Sequence, residues 1–186
     1  MFLLTMASAK RRSEIHALSI EDGHLRFNSS DGSVSLLSQP GFLAKTQLPT
    51  SASEPFSIPS LSRVCGTQDE ERLLCPVRAL KFYLHRVKPL RALRKRLFIP
   101  IKGGGDVSAA SISRWIASTI KKAYMALSER DLAFFKIRPH ELRALSTSWA
   151  FINHTPLVEV LNAAFWKNST TFSTIYYDRL GINKAT

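Results

Sequence analysis

Residues 139–152 have the sequence PHELRALSTSWAFI, and this stretch decides how the rest of the chain is interpreted. A proline suits the start of a helix, so His140 and Arg143 would lie on one helix face, three residues apart. Trp166 and Tyr176 follow further along the chain. An imidazole, a guanidinium and a phenol can together bind and attack a phosphodiester, because the cation stabilises the negative charge that develops on the phosphate oxygens.

The chain is strongly basic, and its charge is unevenly distributed. It has 26 Lys and Arg against 14 Asp and Glu, and residues 72–105 contain ten Lys or Arg and no acid. Such a block favours a polyanion as partner, because each phosphate contact releases condensed counterions. An anionic membrane surface is the competing partner, but no apolar run is long enough to span a bilayer. We therefore expect nucleic acid, and no membrane, as the partner.

The bulk composition predicts a single folded domain. The 186 residues are 45% hydrophobic and 22% charged, which is typical of a globule that buries a core. Cys65 and Cys75 are too few for a disulfide framework or a metal site and are interpreted as free thiols in a reducing compartment. The opening run Met1–Leu4 is too short for a signal peptide, and its positive charges follow it, so a buried first helix is expected.

Turn signals predict a small sheet in the N-terminal third. A helix is expected over residues 1–20, after which Asp-Gly pairs flank two short segments, 24–28 and 33–37, that predict a β-hairpin. Residues 42–47 are a candidate third strand. The Pro- and Ser-rich residues 49–60 are expected to form a loop.

The rest of the chain shows helical periodicity. Apolar residues repeat at helical spacing after Pro76, and Pro89 ends that helix. Further helices are predicted over about 111–125, 139–153 and 156–164, with Ser169 capping a last short one. The fold class that follows is α+β, a mostly helical single domain with a small N-terminal antiparallel sheet.

Several short motifs resemble those of one enzyme family. RRSEI at 11–15 resembles the Arg-x-Ser-Glu-Leu motif, and HELR at 140–143 the His-x-x-Arg motif, of the tyrosine recombinase (phage integrase-like) catalytic domain. Trp166 and Tyr176 follow in the family's order, and the similarity covers residues 3–180. Four further segments resemble the recombinases of DIRS-type retrotransposons: CPVRAL at 75–80, ISRWI at 112–116, SWA at 148–150 and TFSTIY at 171–176.

The resemblance implies a phosphate clamp built on two arginines. Arg11 and Arg143 would hold the scissile phosphate, and His140 would hydrogen-bond a phosphate oxygen and assist proton transfer. Trp166 stands where the family has His or Trp, and its indole N–H would donate to the phosphate or pack behind the tyrosine. Glu14 would orient neighbouring groups by hydrogen bonds. The structural alternatives are a solvated face for the charged residues, a helix N-terminus for His140 and the core for Trp166.

The resemblance also implies a nucleophile and a general acid. Tyr176 would attack the phosphate and form a 3′-phosphotyrosyl bond, and Lys45, at the tip or edge of the small sheet, would protonate the departing 5′ oxygen. Tyr177 is the alternative nucleophile and Lys102 the alternative acid. The basic run Lys10–Arg12 leaves a one-residue shift of the first arginine open. Because the ester stores the energy for rejoining, the resemblance implies no ATP, no metal and no other cofactor.

The basic block is expected to bind duplex DNA, with a solvated loop as the alternative. The predicted phosphate-tracking residues are Arg86, Lys88, Arg91, Arg94, Lys95 and Arg96, and a helical residue, Arg114, is predicted to touch DNA. The family further implies self-association in a synaptic complex on DNA and, for a retroelement recombinase, localisation in the nucleus. The family's N-terminal DNA-clamping domain is not recognisable, so residues 1–186 are expected to form the catalytic domain alone.

Two other functions remain compatible with the sequence. The first is a non-catalytic DNA-binding remnant of such a recombinase, with the same fold and basic surface. The second is a basic RNA-binding or ribosome-associated protein in which the motifs are coincidental. A covalent protein–DNA adduct would exclude both, and salt-sensitive RNA binding without an adduct would favour the second.

Overall fold

The computed structural model describes residues 1–44, 54–61, 72–102, 106–124, 141–164, 166 and 169–173. Among these, three strands form one antiparallel sheet of order β1-β2-β3, and most other elements are helical, which confirms the α+β class. The elements in chain order are α1 (Phe2–Ser8), α2 (Arg12–Ala17), β1 (Leu25–Phe27), β2 (Val34–Leu36), β3 (Phe56–Ile58), α3 (Pro76–Val87), α4 (Ala109–Tyr124), α5 (Glu141–Ile152), α6 (Leu157–Ala163) and α7 (Ser169–Thr171).

The chain divides into two compact units. Unit 1 consists of Met1, Leu3 and Arg12–Ile112, and contains the sheet and α3. Unit 2 consists of Phe2, Leu4–Arg11 and Ser113–Thr186, and contains α5, α6 and α7.

The single helix predicted over residues 1–20 is wrong, because the chain forms two short helices, α1 and α2. Between them Ala9 has a φ of +51°, a left-handed conformation that costs an L-residue about 1–2 kcal/mol. The N–H of Ala9 still donates to the carbonyl of Thr5 at 3.1 Å and closes the last turn of α1. A helix cannot continue through a positive φ, so the chain changes direction at Lys10 and Arg11.

The predicted hairpin is confirmed, and its second strand is the centre of the sheet. Val34 and Leu36 on β2 are buried, whereas Ser35 between them points to the other face and hydrogen-bonds Ser57 of β3, with 2.9 Å between the hydroxyl oxygens. The turn needs glycine at Gly32, whose φ is +75°. Alternation along β2 therefore follows the expected period of two.

The third strand lies elsewhere than the sequence suggested. Residues 42–44 of the predicted strand 42–47 are not in a strand, and the remainder lies outside the described residues. Instead β3 occupies part of the Pro- and Ser-rich segment 49–60, which was expected to be a loop. Prolines flank β3 on both sides, so the local sequence does not favour a strand there. The segment forms a strand because it pairs antiparallel with β2.

Helix α3 begins and ends where its prolines predict. Cys75 is its N-cap, since its sulfur accepts from the N–H of Arg78 at 3.5 Å, and Pro76 follows at the first helical position. The phenol of Tyr83 donates to the carbonyl of Ile99 at 3.1 Å and accepts from the N–H of the same residue at 2.7 Å. These two bonds hold the middle of α3 to Ile99, which lies near the end of the basic block of residues 72–105.

The other predicted helices are also present, with bounds close to those expected, and Ser169 is the first residue of α7 rather than its cap. In unit 2 the end of α6 and the residues after it form an apolar cluster. Its buried members are Val160, Ala164, Trp166 and Phe172, and it is flanked by Ala150, Phe151, Leu157 and Leu161.

Candidate active site

The side chain of Arg143 is the centre of the described part of the predicted site. It projects from the first turn of α5 and is only 4% exposed. Its Nη2 donates to the carbonyl oxygen of Ala164, just beyond α6. The guanidinium carbon lies 4.9 Å from the centroid of the Trp166 ring, a cation–π contact. The structure therefore brings together two of the predicted site residues, Arg143 and Trp166.

The position of Trp166 is fixed by the end of α6 and by two phenylalanines. Its backbone N–H donates to the carbonyl of Leu161 at 2.9 Å, so the chain turns tightly after the helix. Its ring lies 5.9 Å from that of Phe172, which in turn meets Phe151 of α5 edge-on at 5.3 Å. This packing leaves Trp166 only 8% exposed. The guanidinium of Arg143 therefore lies against an aromatic ring whose position is fixed by its neighbours.

Helix α5 is tied to the N-terminal segment on the same unit. The hydroxyl of Ser146 donates to the carbonyl of Met6 in α1 at 2.6 Å. Thr147, which is buried, donates back to the carbonyl of Arg143 at 2.9 Å. The first of these contacts ties α5 to α1, and the second lies within α5.

The first predicted arginine, Arg11, follows the Ala9 break and is partly exposed. Its neighbour Lys10 is 3% exposed, and its ammonium donates to the carbonyl of Ala163 at 3.2 Å. Arg11 thus adjoins a residue that contacts the same end of α6 as Arg143 does. The positive φ of Ala9, directly before Lys10, is a conformation that favours glycine. Lys10 had no predicted role of its own, because nothing in the basic run 10–12 distinguishes a buried lysine from an exposed one.

Glu14 lies on α2 in unit 1 and is 4% exposed, so it is not a surface acid. Lys45, His140 and Tyr176, three of the predicted catalytic residues, lie outside the described residues, as does Tyr177. Their roles stay predictions.

The predicted DNA-binding residues fall into two groups, those with exposed side chains and those whose side chains bond the backbone. Arg86 and Lys88 are exposed at the end of α3. Lys95 is exposed as well, and its ammonium lies 2.7 Å from the carboxylate of Glu21. This hydrogen bond raises the pKa of Lys95 and lowers the pKa of Glu21. Arg114, the helical residue, is exposed on α4.

The second group consists of Arg91, Arg94 and Arg96, whose guanidinium groups donate hydrogen bonds to backbone carbonyls. Arg91 donates through Nη1 to the carbonyl of Arg96 at 2.5 Å and through Nη2 to that of Leu97 at 2.8 Å, and burial lowers its pKa. Arg96 donates to the carbonyl of His16 at 2.9 Å and lies 3.2 Å from its Nδ1. Arg94 makes a weaker contact, 3.4 Å to the carbonyl of Leu90. Arg91 and Arg96 therefore have structural contacts to the backbone, whereas an exposed residue such as Arg86 is accessible to a polyanion.

The described residues contain no group of three or more His, Cys, Asp or Glu side chains that could hold a metal ion. Among the same residues no helix is both long and apolar enough to cross a membrane.

Comparison of structures gives the fold a known counterpart. The chain superposes on a crystal structure of XerA recombinase with a TM-score of 0.58 over 98% of its own length, at 17% sequence identity. It has a tyrosine recombinase-like α+β fold. The chain spans 55% of the length of that recombinase. No protein-family model matches the chain, and no curated protein is similar to it in sequence.

Proposed function

We propose that this chain is a DNA-cleaving and DNA-rejoining domain of the tyrosine recombinase type, acting through a 3′-phosphotyrosyl intermediate. The observation that carries the proposal is the arrangement of Arg143, whose guanidinium is buried, bonded to the carbonyl of Ala164 and stacked on Trp166, in a fold similar to XerA recombinase. Burying a guanidinium is costly, and a rigid, oriented one is what a phosphate clamp requires.

The two arginines have the chemistry that the cleavage step needs. A guanidinium has five N–H donors in a planar fork that matches two phosphate oxygens, and Arg143 would hold the phosphate through this fork. Arg11, partly exposed on the same unit, would supply the second fork, and His140 would hydrogen-bond a further oxygen. Together they would stabilise the negative charge of the five-coordinate phosphorus.

The covalent step would use residues outside the described ranges. The phenol oxygen of Tyr176 would form a bond to phosphorus while the bond from phosphorus to the 5′ oxygen breaks. The phenol proton would be taken up with the assistance of His140, and Lys45 would give a proton to the leaving 5′ oxygen. Rejoining reverses these changes, so neither ATP nor a metal enters the step. Trp166 would support the site by packing and by its indole N–H, and Glu14 by orienting its neighbours.

Duplex DNA is the proposed substrate and partner. The exposed cations of the basic block, Arg86, Lys88 and Lys95, and the helical Arg114 would contact phosphates without reading sequence. By its resemblance to DIRS-type elements, the protein would act on the DNA of a mobile element in the nucleus, with several copies assembled on DNA.

A suicide substrate tests this proposal directly. A set of duplexes that together cover the DNA flanking the gene, each with a single nick at a different position, can trap the protein, because a short strand released beside the nick diffuses away before rejoining. We expect wild-type protein to form an adduct that survives denaturing electrophoresis in the presence of EDTA. Tyr176→Phe should form none, and Tyr177→Phe, the matched control, should behave like the wild type.

The other outcomes have distinct meanings. An adduct with Tyr176→Phe but not with Tyr177→Phe would move the nucleophile by one residue. Salt-sensitive binding of the duplex without any adduct would favour the non-catalytic remnant instead. An Arg143→Lys variant that cleaves at the wild-type rate would contradict the clamp, because lysine keeps the charge but loses the fork and the stacking on Trp166.

A further inference from the structure

A buried lysine, Lys10, is bound to the carboxyl end of helix α6. It is 3% exposed, and its ammonium donates to the carbonyl of Ala163 at 3.2 Å. The last carbonyls of a helix lack partners within it and carry the negative end of the helix dipole, so a cation placed there is favourable. An apolar residue would fill the same space without the cost of burying an ammonium.

Three hydrogen bonds hold this end of α6. The carbonyl of Leu161 accepts from the N–H of Trp166 at 2.9 Å, that of Ala163 accepts from Lys10, and that of Ala164 accepts from Arg143. Two cations from distant parts of the sequence therefore bind adjacent carbonyls. Any displacement of the α6 end would move both the acceptor of Arg143 and the ring on which its guanidinium lies.

Lys10 also precedes Arg11 in the chain. The same side chain that holds the end of α6 therefore fixes the backbone next to the first arginine of the predicted clamp. All of these residues belong to unit 2.

We propose that Lys10 is a positioning residue, which holds the end of α6 so that Arg143, Trp166 and Arg11 keep the geometry needed to bind a phosphate. The inference rests on the proposed function for its effect on cleavage, but its effect on Trp166 can be measured without DNA.

The experiment compares Lys10→Met, which keeps the length but loses the charge, with Lys10→Arg, which keeps a cationic donor. The matched control is Ser146→Ala, which removes a hydrogen bond between α5 and α1 without touching α6. In all of them Trp115→Phe and Trp149→Phe leave Trp166 as the single tryptophan. Circular dichroism shows which variants fold, and acrylamide quenching of Trp166 fluorescence reports how well its packing is kept.

We expect Lys10→Met to make Trp166 more accessible to acrylamide than either Lys10→Arg or Ser146→Ala does. On the suicide duplex it should lower the adduct rate at saturating DNA roughly 10- to 100-fold, with little change in the dissociation constant, because a small displacement of a catalytic group is costly. Lys10→Arg should recover part of the rate.

Unchanged quenching and an unchanged adduct rate in Lys10→Met would overturn the inference while leaving the proposed function intact. Absence of an adduct with wild-type protein would instead defeat the proposed function, and Trp166 quenching would still decide whether Lys10 holds α6. If Lys10→Met does not fold, the decision falls to Lys10→Arg: quenching like the parent supports a cationic contact at α6, and a Trp166 as exposed as in unfolded protein overturns it.

Discussion

Replacement of Arg91 by methionine should destabilise the protein and, under the proposed function, leave DNA binding nearly unchanged. Methionine keeps the aliphatic part of the side chain but removes the donors to the carbonyls of Arg96 and Leu97, at 2.5 and 2.8 Å. A hydrogen bond from a charged donor contributes about 1.5–3 kcal/mol, and Arg91 is partly exposed, so we take the lower value and discount it further for solvent screening. The two bonds together then contribute about 2 kcal/mol.

Urea unfolding monitored by circular dichroism measures this loss. A decrease of about 2 kcal/mol lowers the folding equilibrium constant roughly 30-fold and, for a chain of this size, the Tm by about 4–8 °C. The matched variant is Arg86→Met, an exposed residue of the same block, whose unfolding free energy should stay within about 0.5 kcal/mol of the wild type.

In DNA binding, Arg86→Met should have the larger effect and Arg91→Met the smaller, the reverse of their effects on stability. Under the proposed function, Arg86→Met removes one phosphate contact, so the slope of log Kd against log salt concentration should decrease by about one, whereas Arg91→Met should leave it nearly unchanged. The reasoning fails if Arg91→Met is as stable as the wild type and loses as much salt dependence as Arg86→Met. In that case Arg91 contacts phosphate, as the sequence alone suggested.

Three further variants test the local structure. Tyr83→Phe should lower the unfolding free energy by about 1–3 kcal/mol, since the buried N–H and carbonyl of Ile99 lose their partner, whereas Phe82→Leu at an exposed site should have little effect. Burial raises the pKa of Tyr83, so the neutral phenol stabilises the fold below its ordinary pKa of 10.0, and the difference between wild type and Tyr83→Phe should shrink as the pH rises through the higher folded value. Ala9→Gly should raise the Tm slightly: relief of the positive φ contributes about 1–2 kcal/mol, and the greater freedom of the unfolded chain takes back about 0.4–1. Cys75→Ala should cost about 1 kcal/mol in urea unfolding through loss of the α3 cap, and Cys75→Ser should restore it; equal stability of the two would contradict a capping role.

Much of the fold could be predicted from local signals. Pro76 and Pro89 bound α3, and the Asp-Gly pair ending in Gly32 predicts the hairpin, because caps and turns depend on a few neighbouring residues. The basic block and the order of the motifs likewise predicted a DNA-binding recombinase fold, and the fold was confirmed. Pro139 and Pro156 likewise predicted where α5 and α6 begin, because proline is favoured at the start of a helix.

Which residues are charged and where helices begin can be predicted from neighbouring residues, but what those charges contact depends on the folded chain. Strand β3 forms in a Pro-rich segment because β2 supplies its partners, and Ala9 takes a positive φ because the surrounding fold requires a turn there. Arg91 and Lys10 look like any other basic residue in the sequence. Their roles depend on hydrogen bonds to backbone carbonyls that come near only when the chain folds. The residues next to Lys10 and Arg91 in the sequence therefore do not indicate these contacts.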